Sequence, residues 1–350
     1  MVRLGVDAHK RTHTIVAIDR VGPVVAAITV AATTAGHLKA LRWAQSVADE
    51  RLWALGDRRH LTRRLEADVL RASESVVRVP PTMMAGARRS VRQRGKSDPI
   101  DAQAVARAAL RDPGLPVARP DGAEREPRLP GDHREDLVAQ RTRTQNRLRR
   151  HRHALGSNDI PAGALDRFAT LDRLRARLTG RDELVAAITA ELVDRRRELT
   201  GRANQLERQI ATRAGILAPS LMTPPGCGAL TAAKLVGEAA GVGRLRSRSA
   251  FAAANGTAPV PVWSGNRERF RLNRGGNRQV NTALHRIVVT QIRVPDPARD
   301  YIARRIANGD TKTEAIRAPR RRMSDIVYRR LVADEQTRQA APATCVAQAA

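Results

Sequence analysis

The chain is poor in aromatic residues: Trp, Tyr and Phe together make 2% of its 350 residues. A platform that stacks successive bases of a single strand on rings is therefore poorly supported. Cysteine is equally scarce. Cys227 and Cys345 lie far apart with no ligand cluster around them, so neither a disulfide framework nor a zinc site is expected. No run of about 18 apolar residues occurs, and the first residues lack the apolar stretch of a signal peptide. A soluble cytoplasmic chain, associated with the nucleoid and with no membrane partner, is expected. No Walker-type phosphate loop is present, so ATP is not an expected cofactor.

Acidic charge is the other shortage. Asp and Glu number 35 against 63 Lys and Arg, a net charge of +28. Such an excess favours a polyanion, because neutralising phosphates releases their condensed counterions. Codon bias toward arginine contributes to the same excess, and a basic protein without a nucleic-acid role is the alternative reading. Apolar residues, at 42%, still suffice for hydrophobic cores.

Against this basic background the placement of a few acids is informative. "VRLGVDAHKRTH" (2–13) is a short β-type run that ends on one acid, Asp7. With "HTIVAID" and "PVVAAITVAA" it makes a three-strand meander. Then follow a helical period (37–48), a strand-like "RLWALG" (51–56), a helical period (60–72), a strand (75–80) and a helix (97–112). A meander followed by alternating helix and strand is the order of an RNase H-like (RuvC-like) sheet. The second half is expected to be mainly α. Residues 113–132, rich in Pro and Gly, read as a linker, and 133–215 as a long helical or coiled-coil region broken near Gly180. Residues 216–333 form a compact helical domain with a helix-hairpin-helix-like turn, and 334–350 a disordered tail.

Asp98 and Asp101 stand at i, i+3 in "GKSDPIDAQAVARA", one face of a helix start. Beside Asp7 they could hold Mg2+ through oxygen ligands. Alternatively Asp98 is an N-cap ahead of Pro99, and Asp101 an acid favoured by the helix dipole. Gly226 and Gly228 in "PPGCGALTAAKLVGEA" open a turn into a helix, where backbone amides can approach a phosphate and Lys234 follows. A tight turn is the plainer reading. Ser264, in a Trp-Ser-Gly turn, is surrounded by Arg267, Arg269, Arg271, Arg274 and Arg278. Guanidinium groups at that density could bind a phosphodiester and stabilise charge at phosphorus, although a loop serine is most often a turn residue. Arg141, Arg147, Arg149 and Arg150 crowd one helical stretch, either a nucleic-acid contact or a solvated face.

The motifs "GVDAHKRTHT", "LWALGDRRHLTRRLEADVL", "GKSDPIDAQAVARAAL", "DHREDLVAQRTRTQNRLRRH", "GCGALTAAKLVGE" and "NGTAPVPVWSGNRERFRLNRGGNRQVNTALHRI" occur in this order. On them the chain resembles the insertion-sequence transposases that join an N-terminal DEDD, RuvC-like domain to a C-terminal serine-bearing domain, the IS110 family. The resemblance runs from about residue 2 to about residue 333. It implies a recombinase that excises and inserts its own element, with recognition of element ends and target DNA guided by an element-encoded RNA. It implies Asp7, Asp98 and Asp101 as Mg2+ ligands and Ser264 as the nucleophile that forms a covalent 5′-phosphoserine bond. It also implies a homo-oligomer, dimer or tetramer, whose subunits contribute to one composite site.

The chain departs from the family pattern at Gly56, where a glutamate is expected at the end of the fourth strand. Asp57 is adjacent, but one step along a strand faces the opposite side, so it substitutes as a ligand only where the strand has already ended. Impaired activity follows as an expectation. Pro127, Pro130-Gly131, "GVGRLRS" (241–247) and Pro319 inside "TEAIRAPRRRMSDIVYRRL" depart as well. Interior proline costs about 3 kcal/mol or more. Two other readings stay open: a RuvC-like hydrolytic endonuclease, and an inactive nucleic-acid-binding transposase remnant.

Overall fold

The computed structural model describes residues 1–56, 59–80, 83–84, 86–87, 97–115, 117–120, 122–155, 165–239, 241–265, 267–273 and 275–340. Among them, the side chains of Arg59, Arg152, His153, Ala154, Ser264, Arg267, Glu268 and Arg269 are not described. Asp57, Arg274 and the tail 341–350 lie outside the described residues. Two compact units divide the chain, Met1–Asp121 and Gly122–Ala350.

The first unit holds strands β1 (Val2–Ala8), β2 (Thr12–Ile18), β3 (Val24–Ala31), β4 (Arg51–Gly56) and β5 (Val76–Val79), with helices α1 (Thr34–Val47), α2 (Arg59–Arg71) and α3 (Asp98–Arg111). The sheet order is β3-β2-β1-β4-β5. The first three strands pair antiparallel, while β1, β4 and β5 run parallel, the mixed order expected of an RNase H-like sheet. Strand periodicity divides β1 between two faces. Leu4, Val6 and Ala8 join Ile15, Ala17, Trp53 and Leu55 in a core with Ala40, Leu41, Ala44, Leu65 and Val69 of α1 and α2. The opposite face, with Gly5 and Asp7, receives α3 through Val16, Ile18, Ala102 and Ala106 on one side and Ala54, Val77, Ala104 and Val105 on the other. Burying each Val, Leu or Ile side chain contributes roughly 1.5–3 kcal/mol. The Arg51 guanidinium grips Glu74, which also accepts from Trp53 Nε1 at 3.2 Å, tying β4 to the turn that leads into β5.

The stretch read as a linker is shorter than expected. Val117 bridges to Val77, the Ala118 amide donates to the Val76 carbonyl, and Ala118 is buried in the first core. At the other end α4 (Arg128–Ala154) already starts before Pro130-Gly131. Pro130 thus stands in a first turn, where a missing N–H breaks no intrahelical bond.

In the second unit α4 runs antiparallel to α6 (Leu184–Leu217): Arg134 pairs with Glu207, Arg195 donates to Gln140, and His151 meets Thr189. Gly180, at φ +79, lies between α5 (Phe168–Leu178) and α6. Next come α7 (Ala229–Ala239), α8 (Arg248–Ala254), the hairpin β6 (Val260–Ser264) and β7 (Arg267–Arg271), α9 (Arg278–Gln291), α10 (Pro297–Ala307), a single turn α11 (Lys312–Ala315), and α12 (Arg317–Ala340). Their common core includes Leu221, Leu235, Val236, Phe251, Leu284, Ile287, Val288, Met323 and Val327.

Two expectations need correction here. Pro319 does not interrupt a helix, because the chain breaks at Ile316 and Pro319 falls in the first turn of α12. The tail is not disordered from 334: α12 continues to Ala340, and its end is anchored. Asp334 accepts from Ser220 Oγ at 2.8 Å, Glu335 accepts from the Gly243 amide at 3.1 Å, and Arg338 donates to the Leu217 carbonyl. Among the described residues no helix is long and apolar enough to cross a membrane.

Candidate active site

Asp7 is buried at the end of β1 and paired in register with Thr14 of β2. Its face of the sheet is the one covered by α3. That helix comes close because Gly5 has no side chain: a Cβ there would sit 2.1 Å from the Ala102 carbonyl oxygen and 2.5 Å from the Ala106 nitrogen. The approach brings the first turn of α3 over Asp7. Ser97 occupies the N-cap position without a side-chain cap bond, so Asp98 is the first helical residue and not the cap. Asp98 is exposed, and Asp101, one turn on, is buried.

His9 stands between the two carboxylates, with Nε2 3.0 Å from Asp7 Oδ2 and 3.4 Å from Asp98 Oδ1. One ligand atom from each of Asp7, His9 and Asp98 lies within 4.8 Å of the others. Burial pushes the Asp7 carboxyl above its ordinary range. The hydrogen bond and charge of His9 oppose that rise, while the charges of Asp101 and Asp98 reinforce it. His9 was not among the residues expected to act. Its only signal was the Asp-x-His spacing, which puts two strand-end residues on one face.

Gly56 ends β4 and is buried. The parallel register Gly5↔Ala54 and Val6↔Leu55 carries on to set position 56 beside Asp7, on the same sheet face. A Cβ there would meet Met84 Sδ at 3.4 Å, an ordinary contact.

In the second unit Ser264 is the last residue of β6, paired with Arg267 across the hairpin, and Gly265 begins the turn at φ +58. The register further pairs Val262 with Arg269 and Val260 with Arg271. Positions 264, 267, 269 and 271 thus fall on one hairpin face. Arg271 and Arg278, the latter opening α9, are exposed. Lys234 is engaged inside the unit, 2.6 Å from Glu135 of α4. Gly226, at φ +84, lets its turn approach α9, since a Cβ would lie 2.7 Å from the Ile287 carbonyl oxygen; Gly228 immediately precedes α7. Arg147, Arg149 and Arg150 are exposed on α4, whereas Arg141 is half-buried near the buried Arg196.

Residues 4–153 match the IS110 transposase DEDD domain, and residues 218–303 match the transposase IS116/IS110/IS902 family. The chain belongs to the IS110 family of insertion-sequence transposases. It is similar to the insertion element IS116 uncharacterized 44.8 kDa protein of Streptomyces clavuligerus, 26% identical over an alignment of 372 positions that spans 93% of each chain. As an IS110-family transposase it is a DNA-cutting, recombining enzyme whose partner is DNA.

DEDD transposase domains use divalent metal, and the donor set of this one fits such an ion. Two carboxylates and an imidazole converge on one point; burial chiefly raises the Asp7 pKa, with the charges of Asp101 and Asp98 adding to it, and a bound cation would offset both effects. Oxygen donors suit magnesium, while the His9 nitrogen is a donor that manganese accepts more readily.

Proposed function

We propose that the chain is a Mg2+-dependent, RNA-guided recombinase in which Asp7, Asp98 and Asp101 hold the metal and Ser264 attacks a DNA phosphate. The observation that carries this reading is the convergence of Asp7, His9 and Asp98 at the end of an RNase H-like strand. A divalent cation held there supplies Lewis-acid polarisation of the scissile phosphate.

The remaining work falls to side chains. Asp7, in a rigid strand, and Asp101, in a buried helical turn, fix the donor positions. Asp98 is exposed and is the donor free to adjust. Ser264 at a hairpin tip can reach a duplex backbone without its scaffold entering the groove. Attack by its hydroxyl forms a Ser–O–P bond, breaks the P–O3′ bond and leaves a free 3′-hydroxyl. The phosphodiester energy is thereby conserved, and the reverse step rejoins strands without ATP. Arginines at 267 and 269 supply positive charge around that phosphate, those at 271, 274 and 278 meet the same strand farther along, and Arg147, Arg149 and Arg150 contact backbone or RNA. Lys234, tied to Glu135, holds α7 to α4.

The acids belong to one unit and Ser264 to the other, which accords with a composite site shared between subunits of a dimer or tetramer acting on nucleoid DNA in the cytoplasm. Gly56 leaves the second DEDD position without a carboxylate, so metal is held more weakly and activity is reduced. The grouping of Asp7, His9 and Asp98 within the first unit, apart from Ser264, favours a second reading, hydrolytic cleavage without Ser264. Ser264→Ala separates the two. Loss of covalent protein–DNA product together with loss of cleavage supports the serine mechanism; cleavage retained in Ser264→Ala supports hydrolysis.

A further inference from the structure

At the base of the β6–β7 hairpin, at the end away from Ser264, lies a cavity of about 470 Å³. Its lining has two chemistries. One wall is apolar: Phe270, 61% exposed, Leu272, and the half-buried Tyr301. The other is cationic, with Arg271, Arg305, Arg317, Arg320 and Arg321 facing only two carboxylates, Asp310 and Glu314.

The acids do not neutralise this wall. Arg305 pairs with Asp310 at 2.5 Å, Arg317 stands 3.8 Å from Glu314, and Arg321 turns to Asp325 of its own helix. Arg271 and Arg320 have no carboxylate partner among the described residues. Arg320 is half-buried; among the described residues its guanidinium donates only to Asn281 Oδ1, at 3.3 Å, and its Nε has no acceptor. Burial holds its guanidinium below the usual range, and the charges of Arg317 and Arg278 act in the same direction. Its place is fixed by a buried network: Asn281 Nδ2 donates to the Asn255 carbonyl, and Asn255 Nδ2 donates to Ser324 Oγ on α12. A fixed, half-buried, under-neutralised guanidinium beside aromatic rings is suited to a phosphate with a base attached.

We infer that this cavity receives one nucleotide of the DNA strand that reaches Ser264, its phosphate on Arg271 and Arg320 and its base against Phe270 and Tyr301. The assignment to that strand rests on the serine reading of the hairpin tip. Val260, opposite Arg271, is four residues from Ser264, about 14 Å at ~3.4 Å per residue. At ~3.4 Å rise per nucleotide in a duplex strand, the occupant lies about four nucleotides from the scissile phosphate. The cavity therefore positions the strand and takes no part in bond breaking.

The test uses the full chain, a fluorescent single-stranded DNA decamer of element-end sequence and the matching RNA, with anisotropy read across a salt series. Arg271→Gln with Arg320→Gln should weaken DNA binding at least tenfold and lower the salt slope by about 1.4, the value for two phosphates on a single strand. Phe270→Ala, at an exposed position that leaves folding untouched, should weaken binding at least fivefold with the slope unchanged. An abasic site at the fourth nucleotide from the cleavage point should abolish the Phe270→Ala effect. An unchanged slope in the double variant, or a Phe270→Ala protein that binds like wild type, would overturn the inference. Losses confined to the RNA decamer would overturn the assignment to DNA. Ser264→Ala separates this site from the serine mechanism. If Ser264→Ala protein binds normally and carries the same variant effects, the cavity stands even where no covalent product forms.

Discussion

Glutamate at position 56 restores the missing carboxylate at a place the register defines, and its effect can be worked out in advance. Parallel neighbours in a sheet lie ~4.8 Å apart. A second charge at that distance from the buried Asp7, at an effective dielectric of about 20, costs about 3 kcal/mol. The Cβ itself fits against Met84, so repulsion dominates the penalty. Without divalent metal, Gly56→Glu should be about 1–3 kcal/mol less stable than wild type, the lower end applying where Asp7 takes up a proton. With metal the gap narrows. A tenfold tighter site adds about 1.4 kcal/mol of stabilisation at saturating ion, which offsets a deficit of about 1 kcal/mol in full and one of about 3 kcal/mol by roughly half. Urea unfolding of both proteins in EDTA and in saturating magnesium measures both legs, and titration calorimetry gives the metal affinity directly. A Gly56→Glu protein with wild-type metal affinity and unchanged magnesium dependence of stability would refute the placement of position 56 beside Asp7.

Gly5→Val should destabilise by about 1–3 kcal/mol through overpacking against α3; it should also lose magnesium-dependent stabilisation in the same urea assay, because the helix carrying Asp98 and Asp101 is displaced. His13 is buried, and its burial, reinforced by the charge of His37, lowers its pKa to about 4. The unfolded chain takes up this proton from about pH 6.5 downward while the folded chain does not until about pH 4, so stability should fall by roughly 3 kcal/mol as pH drops through that window. His13→Asn should flatten that part of the pH profile, and an equal slope in both proteins would count against the assignment. Replacing the exposed Arg143, Arg147 and Arg150 of α4 by alanine should lower the salt slope of duplex binding by about 2.7. An unchanged slope would make that stripe a solvated surface.

The strand order and the approach of Asp98 to Asp7 were legible because they rest on periodicity, whereas the third group that joins them is His9 and not Asp101. Alternation in β1 sets the face of Asp7, and the i, i+3 spacing sets two acids on one helical turn. The gap at Gly56 was legible only against the pattern of the resembled family; nothing in the periodicity of β4 asks for a carboxylate there. What stayed hidden depended on partners distant in sequence. Lys234 read as a phosphate ligand, and only the fold reveals Glu135 of α4 beside it. The helical tail read as disordered because its anchors, Ser220, Gly243 and Leu217, lie about a hundred residues away. Pro319 read as a helix breaker since the boundary at Ile316 carries no glycine or cap residue that marks it. Arg320 carried no signal in the sequence; its half-buried setting exists only once Asn255, Asn281 and α12 have packed.

The covalent step is the centre of the account. Purified protein, the noncoding RNA flanking the element, magnesium and end-labelled element DNA are combined, and protein–DNA adduct is resolved on a denaturing gel. Wild type, Gly56→Glu, Ser264→Ala and Asp7→Ala are run side by side. The account predicts adduct in wild type, more adduct at lower magnesium in Gly56→Glu, and none in Ser264→Ala or Asp7→Ala. Adduct that survives Ser264→Ala, or cleavage without adduct in every protein, would contradict it.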